Sequence, residues 1–145
     1  MLGGMIRHLS IAAGDPARVA GVLAELLGGR VRRFPPHAGS YMVVVDDGAG
    51  TAVEVYPAGT ELVLGADGVE FAANPSASRY TATHAAISVP TREAEILAIA
   101  AREGWWARRV DRGPFELVEL WLEGRVMIEL FPPELEPRWA GPAAG

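Results

Sequence analysis

The feature that most constrains this chain is that it is written twice. RHLSIAAGDP near the start is answered by THAAISVPTR in the middle, with His8 and His84 76 residues apart. Asp15 and Thr91, Gly28 and Gly104, and Gly48 and Gly124 keep the same offset of 76. VEVYP (Val53 to Pro57) and IELFP (Ile128 to Pro132) then match at 75, so the second copy is one residue shorter in the turn before its last strand. Solenoid repeats run to about 50 residues at most. A period this long points instead to a duplicated half-domain, and 145 residues make one domain from two such halves.

Each half carries the same order of elements. Residues 6–13 alternate apolar and polar, the period of a strand. Asp15-Pro16 opens a helix, aspartate capping and proline at the first helical position. Val19, Val22, Leu23, Leu26 and Leu27 give it one apolar face, and Gly28-Gly29 ends it. A short strand is expected over Val31–Phe34, then a hairpin of Ser40–Asp46 and Thr51–Tyr56 around Asp47-Gly48. In the second half the spacing predicts a strand over 83–89 and a helix over Arg92–Glu103, capped by Thr91 and stopped by Gly104. A short strand over Trp106–Val110 and a hairpin of Phe115–Leu122 with Val126–Phe131 complete it. The expectation is an α+β chain of two βαβββ modules in tandem, forming a curled mixed sheet around a shared cleft with the helices outside. Module 1 covers about 5–57 and module 2 about 83–132. Residues 58–82 form a linker with a small excursion (ELVLGADGVEFA), and the Pro/Gly/Ala-rich tail 133–145 is expected to be loose or draped on the surface.

Composition removes several function classes. There is no cysteine, hence no thiol nucleophile, Fe–S cluster or disulfide. Every one of the 13 basic residues is arginine, so a lysine Schiff base and a P-loop lysine are excluded. A net charge of −5 argues against nucleic acid and anionic membranes as partners. No apolar run approaches the roughly 20 residues that span a bilayer, and the N-terminus is a poor signal peptide; the expected location is the cytoplasm.

Strand parity then singles out side chains. Opposite the aliphatic faces lie His8, Ser10 and Ala12; Ala52, Glu54 and Tyr56; His84, Ala86 and Ser88; and Met127, Glu129 and Phe131. If each half-sheet curls and the two sit side by side, His8, Glu54, His84 and Glu129 line one concave surface. Imidazole and carboxylate are what a borderline divalent metal takes where no thiolate exists. A glutamate inside an aliphatic strand also needs a compensating charge, which one cation supplies to both. Leu117, Glu119 and Trp121 would face the same side, while parity alone does not choose between Tyr41/Val43 and Met42/Val44. Glu119 is either a second acid–base or substrate-binding group or a rim carboxylate paired with arginine. Trp121, Tyr56, Met127 and Phe131 are either apolar walls for a small organic ligand or core packing. His37, without a repeat partner, reads as a solvated loop residue. Trp105-Trp106 reads as packing or a dimer contact. Arg108, Arg109 and Arg112 form either a site for a substrate carboxylate or phosphate or a solvated edge.

Over about residues 5–133 these features resemble the vicinal oxygen chelate superfamily, which includes glyoxalase I, extradiol dioxygenases, methylmalonyl-CoA epimerase, and fosfomycin and bleomycin resistance proteins. The resemblance rests on the paired modules, on RHLSIAA and THAAISV as first strands, and on VEVYP and IELFP as last strands. It implies that those strands supply the metal ligands, by position His8, Glu54, His84 and Glu129. The His/Glu/His/Glu set looks like the glyoxalase I pattern; related epimerases usually have glutamine second, and dioxygenases and fosfomycin enzymes usually keep two histidines and one glutamate. One divalent ion (Ni, Zn, Co, Mn or Fe) is the implied cofactor. The implied function is a metal-dependent, glyoxalase-like lyase or isomerase that acts on a small oxygenated substrate through a metal-stabilised enediolate. Glu129 is the first candidate for base and Glu54 the second. An octahedral ion with four protein ligands keeps two open positions, suited to two neighbouring substrate oxygens, whereas catechol and dioxygen need three. The alternatives are a metal-free drug- or metabolite-binding protein and an extradiol-type dioxygenase. The resemblance also implies a homodimer, with the modules paired within a chain or across two.

Overall fold

The computed structural model describes residues 4–136. Two compact units emerge, one from residues up to Glu25 together with Gly29–Tyr80, the other from Leu26–Gly28 together with residues from Thr81 onward.

In the first unit β1 (His8–Ala13) leads into α1 (Pro16–Leu27), followed by β2 (Gly29–Arg33), β3 (Tyr41–Val45) and β4 (Ala52–Pro57). Asp15 caps α1 as expected, its Oδ1 accepting the Arg18 N–H at 3.1 Å. Val19, Ala20, Val22 and Leu23 of α1 are buried, as are Ile11, Val43, Val53 and Val55 of the strands. Gly28 ends the helix at φ 64°, a left-handed conformation that glycine adopts without penalty. The chain therefore enters β2 at Gly29, two residues earlier than the apolar pattern suggests, because a strand exposed along most of its length carries little hydrophobic signal. The strands form one four-stranded sheet in the order β1-β4-β3-β2, parallel between β1 and β4 and antiparallel elsewhere.

The segment expected to link the halves adds a third pair of strands. β5 (Thr60–Gly65) and β6 (Gly68–Ala73) form an antiparallel hairpin belonging to the first unit.

The second unit repeats the plan with β7 (Ala85–Ser88), α2 (Glu93–Glu103), β8 (Trp106–Asp111), β9 (Glu116–Leu122) and β10 (Val126–Phe131). Its sheet runs β7-β10-β9-β8, again with a parallel pair at the edge. The chain thus builds two four-stranded mixed sheets of identical topology, each with its own helix. α2 packs on β8 and β9 and buries Ile96, Ile99 and Ala100. Gly104, at φ 71°, stops it where the repeat predicts. The start of α2 differs from expectation. Thr91 does not cap it; its hydroxyl donates to the Leu26 carbonyl at 2.8 Å, and the Glu95 carboxylate accepts the Arg92 N–H at 3.1 Å. Leu120, Ile128 and Leu130 are buried on the aliphatic face of the sheet.

The tail is anchored at its start. Leu135 is buried in a turn whose N–H bonds return to the Pro132 carbonyl; the rest of the expected loose tail, residues 137–145, lies outside the described residues. Among the described residues no helix is long and apolar enough to cross a membrane.

Candidate metal and substrate site

Strand register decides which side chains share a face. In the first sheet, Ser10 pairs with Glu54 across the parallel β1–β4 ladder, Glu54 with Met42, and Met42 with Arg32. In the second, Ala86 pairs with Glu129, Glu129 with Glu119, and Glu119 with Arg108. These rows are repeat-equivalent. They settle the parity of β3: Met42 and Val44 lie on the glutamate face, and Val43 lies in the core.

Glu54 is the buried carboxylate of the first row, its residue only 8% exposed. Its Oε2 accepts two hydroxyls, Ser10 Oγ at 2.8 Å and Tyr56 Oη at 3.0 Å. Its Oε1 stands 3.7 Å from His8 Nε2, beyond hydrogen-bond range. His8 opens β1 and is exposed. Ligands bound at right angles to one ion through bonds of about 2.1 Å lie roughly 3 Å apart. His8 and Glu54 therefore need a shift of less than about 1 Å to share a cation.

Tyr56 is walled in by rings. Phe34, His37 and Phe71 have centroids 5.7, 5.6 and 5.8 Å from it. Burial first, and the Glu54 carboxylate second, push its phenol up to about 12. This cluster corrects the reading of His37 as a solvated loop residue. Its ring lies 4.8 Å from that of Phe71, and its Nδ1 is 2.9 Å from the hydroxyl of the buried Ser40. The misreading has a plain cause: Phe71 comes from the β5–β6 hairpin, whose position the repeat does not reveal.

Glu129 is held differently. Nη2 of Arg112, in the turn between β8 and β9, donates to Glu129 Oε1 at 3.0 Å and to Glu119 Oε2 at 3.1 Å. Trp121 Nε1 donates to the other oxygen of Glu119 at 2.7 Å. Arg112 is thus the member of the arginine cluster that pairs with these acids. Arg109 instead grips Glu116 with two nitrogens, at 2.9 and 2.7 Å, and Arg108 lies 5.5 Å over the exposed Trp106 ring.

His84 lies one residue before β7, short of the expected strand. Its Nδ1 is 3.0 Å from the Ala82 carbonyl. A carbonyl only accepts, so Nδ1 carries the hydrogen, which orients the ring and leaves Nε2 as the nitrogen that can face a metal. Of the expected wall residues, Trp121 and Met127 are partly exposed cross-strand partners. Phe131 is buried, 5.8 Å from the Phe115 ring.

The structure therefore brings His8 to Glu54, and Glu119 to Glu129 through Arg112. Among the described residues, neither unit by itself gathers three or more His, Asp or Glu side chains into a group that could hold an ion. The donor chemistry of His8 and Glu54 fits a divalent cation: one buried carboxylate oxygen without a hydroxyl donor, beside an exposed imidazole. In the second unit the Glu129 carboxylate is paired with Arg112. Ser10 and the Tyr56 hydroxyl are the partners of Glu54 that motif reading passes over. Their signal was present, since each stands two residues along its strand from a candidate ligand and on the same face.

No protein-family model matches the sequence, and no curated protein matches it. Solved structures do. The fosfomycin resistance protein FosX from Mesorhizobium loti superposes with a TM-score of 0.55 at 14% identity, covering 97% of this chain and 100% of that one. FosX from Listeria monocytogenes gives 0.59 at 13% identity, over 95% and 99% of the two chains. A possible glyoxalase from Bacillus cereus gives 0.56 at 11% identity, over 89% and 99%. The likeness is one of fold: the chain shares the fold of these structures, as its duplicated βαβββ plan implies.

Proposed function

We propose that the chain is a metal-dependent enzyme of the lyase or isomerase type, acting on a small oxygenated molecule. The observation that carries this reading is the pairing of buried Glu54 with His8. The carboxylate has hydroxyl donors on one oxygen and leaves the other beside an imidazole nitrogen. His84 and Glu129, the repeat equivalents of His8 and Glu54, are the candidates for the remaining positions. A structure of Listeria FosX is described as a complex with Mn(II) and sulfate ion, which supports a divalent cation on this fold.

When bound, a divalent cation supplies a Lewis acid for negative charge developing on a substrate oxygen. The chain's own groups do the rest. His8, Glu54 and His84 hold position. The Glu129 carboxylate, released from Arg112, takes a proton from the substrate carbon and returns it. Arg112 stays paired with Glu119 through that movement, so its charge is not stranded. Trp121 and Met127 offer apolar surface next to Glu129 and Glu119. The substrate is a small molecule rather than nucleic acid, in keeping with the net charge of −5.

The test is a screen of hemithioacetals, acyl-CoA thioesters and catechols with tag-free protein, with and without added Mn(II), Co(II), Ni(II), Zn(II) or Fe(II). The reading expects isomerisation or cleavage that requires the ion and falls by about 10²-fold or more in Glu129→Gln. Full turnover by Glu129→Gln contradicts the role given to that residue, and oxygen uptake with catechols selects the dioxygenase alternative. A metal-free binding protein is the second reading. It is favoured by Arg112, whose single charge pairs with both Glu119 and Glu129. Ligand binding that neither needs nor changes with metal, and leads to no product, selects it.

A further inference from the structure

We propose that Ser10 and Tyr56 are positioning residues that pin one oxygen of Glu54 and so present the other beside His8. This makes Glu54 the fixed member of the duplicated carboxylates and Glu129 the exchangeable one. The inference rests on the metal-dependent reading above and adds which residues orient the ligand.

Both hydroxyls donate to the same atom, Oε2, at 2.8 and 3.0 Å. The terminal torsion of a glutamate is broad and nearly two-fold, so a carboxylate without directed donors turns freely between its equivalent settings. Two donors on one oxygen remove that freedom and leave Oε1 as a single-atom ligand facing His8 Nε2. Ser10 is fixed by the β1–β4 register, directly opposite Glu54.

The phenol of Tyr56 is itself immobilised. The rings of Phe34, His37 and Phe71 surround it, and the residue is buried. Phe71 comes from β6, in a hairpin that has no counterpart among the described residues of the second unit. The unduplicated segment therefore supplies one wall of the clamp on Glu54.

The second copy differs at both of these positions. Ala86 stands opposite Glu129 where Ser10 stands opposite Glu54, and Phe131 replaces Tyr56 at the repeat-equivalent position. Neither carries a hydroxyl. Glu129 is held by a guanidinium from a turn, shared with Glu119 and followed by Gly113 at φ 91°. A shared ion pair can be exchanged for another cation; a carboxylate clamped by two hydroxyls in a buried row cannot easily turn away.

Co(II) titration followed by visible absorption tests this on the full chain, comparing wild type with Ser10→Ala, Tyr56→Phe and Ser10→Thr. Loss of either hydroxyl is expected to weaken Co(II) binding by about 10–100-fold, the range found when groups that orient a metal ligand are removed. Ser10→Thr, which keeps a hydroxyl, is expected to bind close to wild type. Co(II) affinity unchanged in both Ser10→Ala and Tyr56→Phe overturns the proposal, even if their melting temperatures fall. If wild type takes up no Co(II), the metal-dependent reading fails, and metal-free crystal structures of the Ser10→Ala/Tyr56→Phe double variant decide the positioning role alone. A Glu54 carboxylate turned away from His8 there supports the clamp; one that keeps its orientation overturns it.

Discussion

The Ser10 hydroxyl and the Glu54 carboxylate meet at 2.8 Å because β1 and β4 run parallel with Ser10 and Glu54 in register. Had β1 slipped by one residue, Leu9 or Ile11 would face the acid and every polar group on that strand would change sides. The ladder that builds the sheet therefore also assembles the buried polar row, and the same register in the second sheet places Ala86 against Glu129.

The Tyr56 phenol gives the first prediction. Burial and the neighbouring Glu54 charge raise it from an ordinary 10.0 to about 12. Below 10 the phenol is protonated in both folded and unfolded chains, and its contribution to stability is complete. Between 10 and 12 the unfolded chain gives up a proton that the folded chain retains, so stability falls as pH rises through that window. Urea midpoints measured from pH 9 to about 12 should decline less steeply in Tyr56→Phe than in wild type. Equal slopes would remove the assignment.

Arg112 gives the second. Glu119 and Glu129 are direct cross-strand partners, and like charges in that relation repel. Arg112→Ala is expected to destabilise the metal-free protein by about 0.5–1 kcal/mol, since the pairs are partly exposed. The same variant is expected to bind Co(II) more tightly, because no guanidinium competes for Glu129. Urea midpoints of the metal-free proteins check the first part and calorimetric Co(II) titration the second, and weaker Co(II) binding would show that Arg112 assists rather than competes.

The cores give the third. Leu120 and Leu130 are fully buried on adjacent strands of the second sheet. Leu120→Ala or Leu130→Ala should cost about 2–5 kcal/mol, read from denaturant midpoints at unchanged m. A cost under about 1 kcal/mol would mean that these side chains are not in a close-packed interior.

The cap of α1 gives the fourth. Asp15 accepts the Arg18 N–H, so Asp15→Ala should lose about 1 kcal/mol. Its repeat partner Thr91 bonds the Leu26 carbonyl instead, and Thr91→Ser, which preserves that donor, should be close to neutral. Urea midpoints of the two variants separate the roles.

The topology was legible because duplication supplies an internal control: the glycines that end the helices, Gly28 and Gly104, recur at an offset of 76, and the strands VEVYP and IELFP at 75. Strand parity also placed Glu54 on the face of Ser10 and Tyr56, and Glu129 on the face of Glu119. What parity could not supply is partner identity across sequence-distant loops. Arg112 reaches Glu129 from a turn, and Phe71 reaches Tyr56 and His37 from a hairpin outside the repeat. Such contacts depend on loop geometry, which no hydrophobic period encodes. The start of β2 and the cap of α2 escaped for a related reason: an exposed strand carries no apolar period, and Thr91 had a competing carbonyl.

If His8 and Glu54 are halves of one cation site, elemental analysis of protein purified without a histidine tag or chelator will find a divalent metal equimolar with the wild-type chain and absent from His8→Ala and Glu54→Gln. Trace metal in wild type, or a content that neither substitution changes, contradicts that pairing.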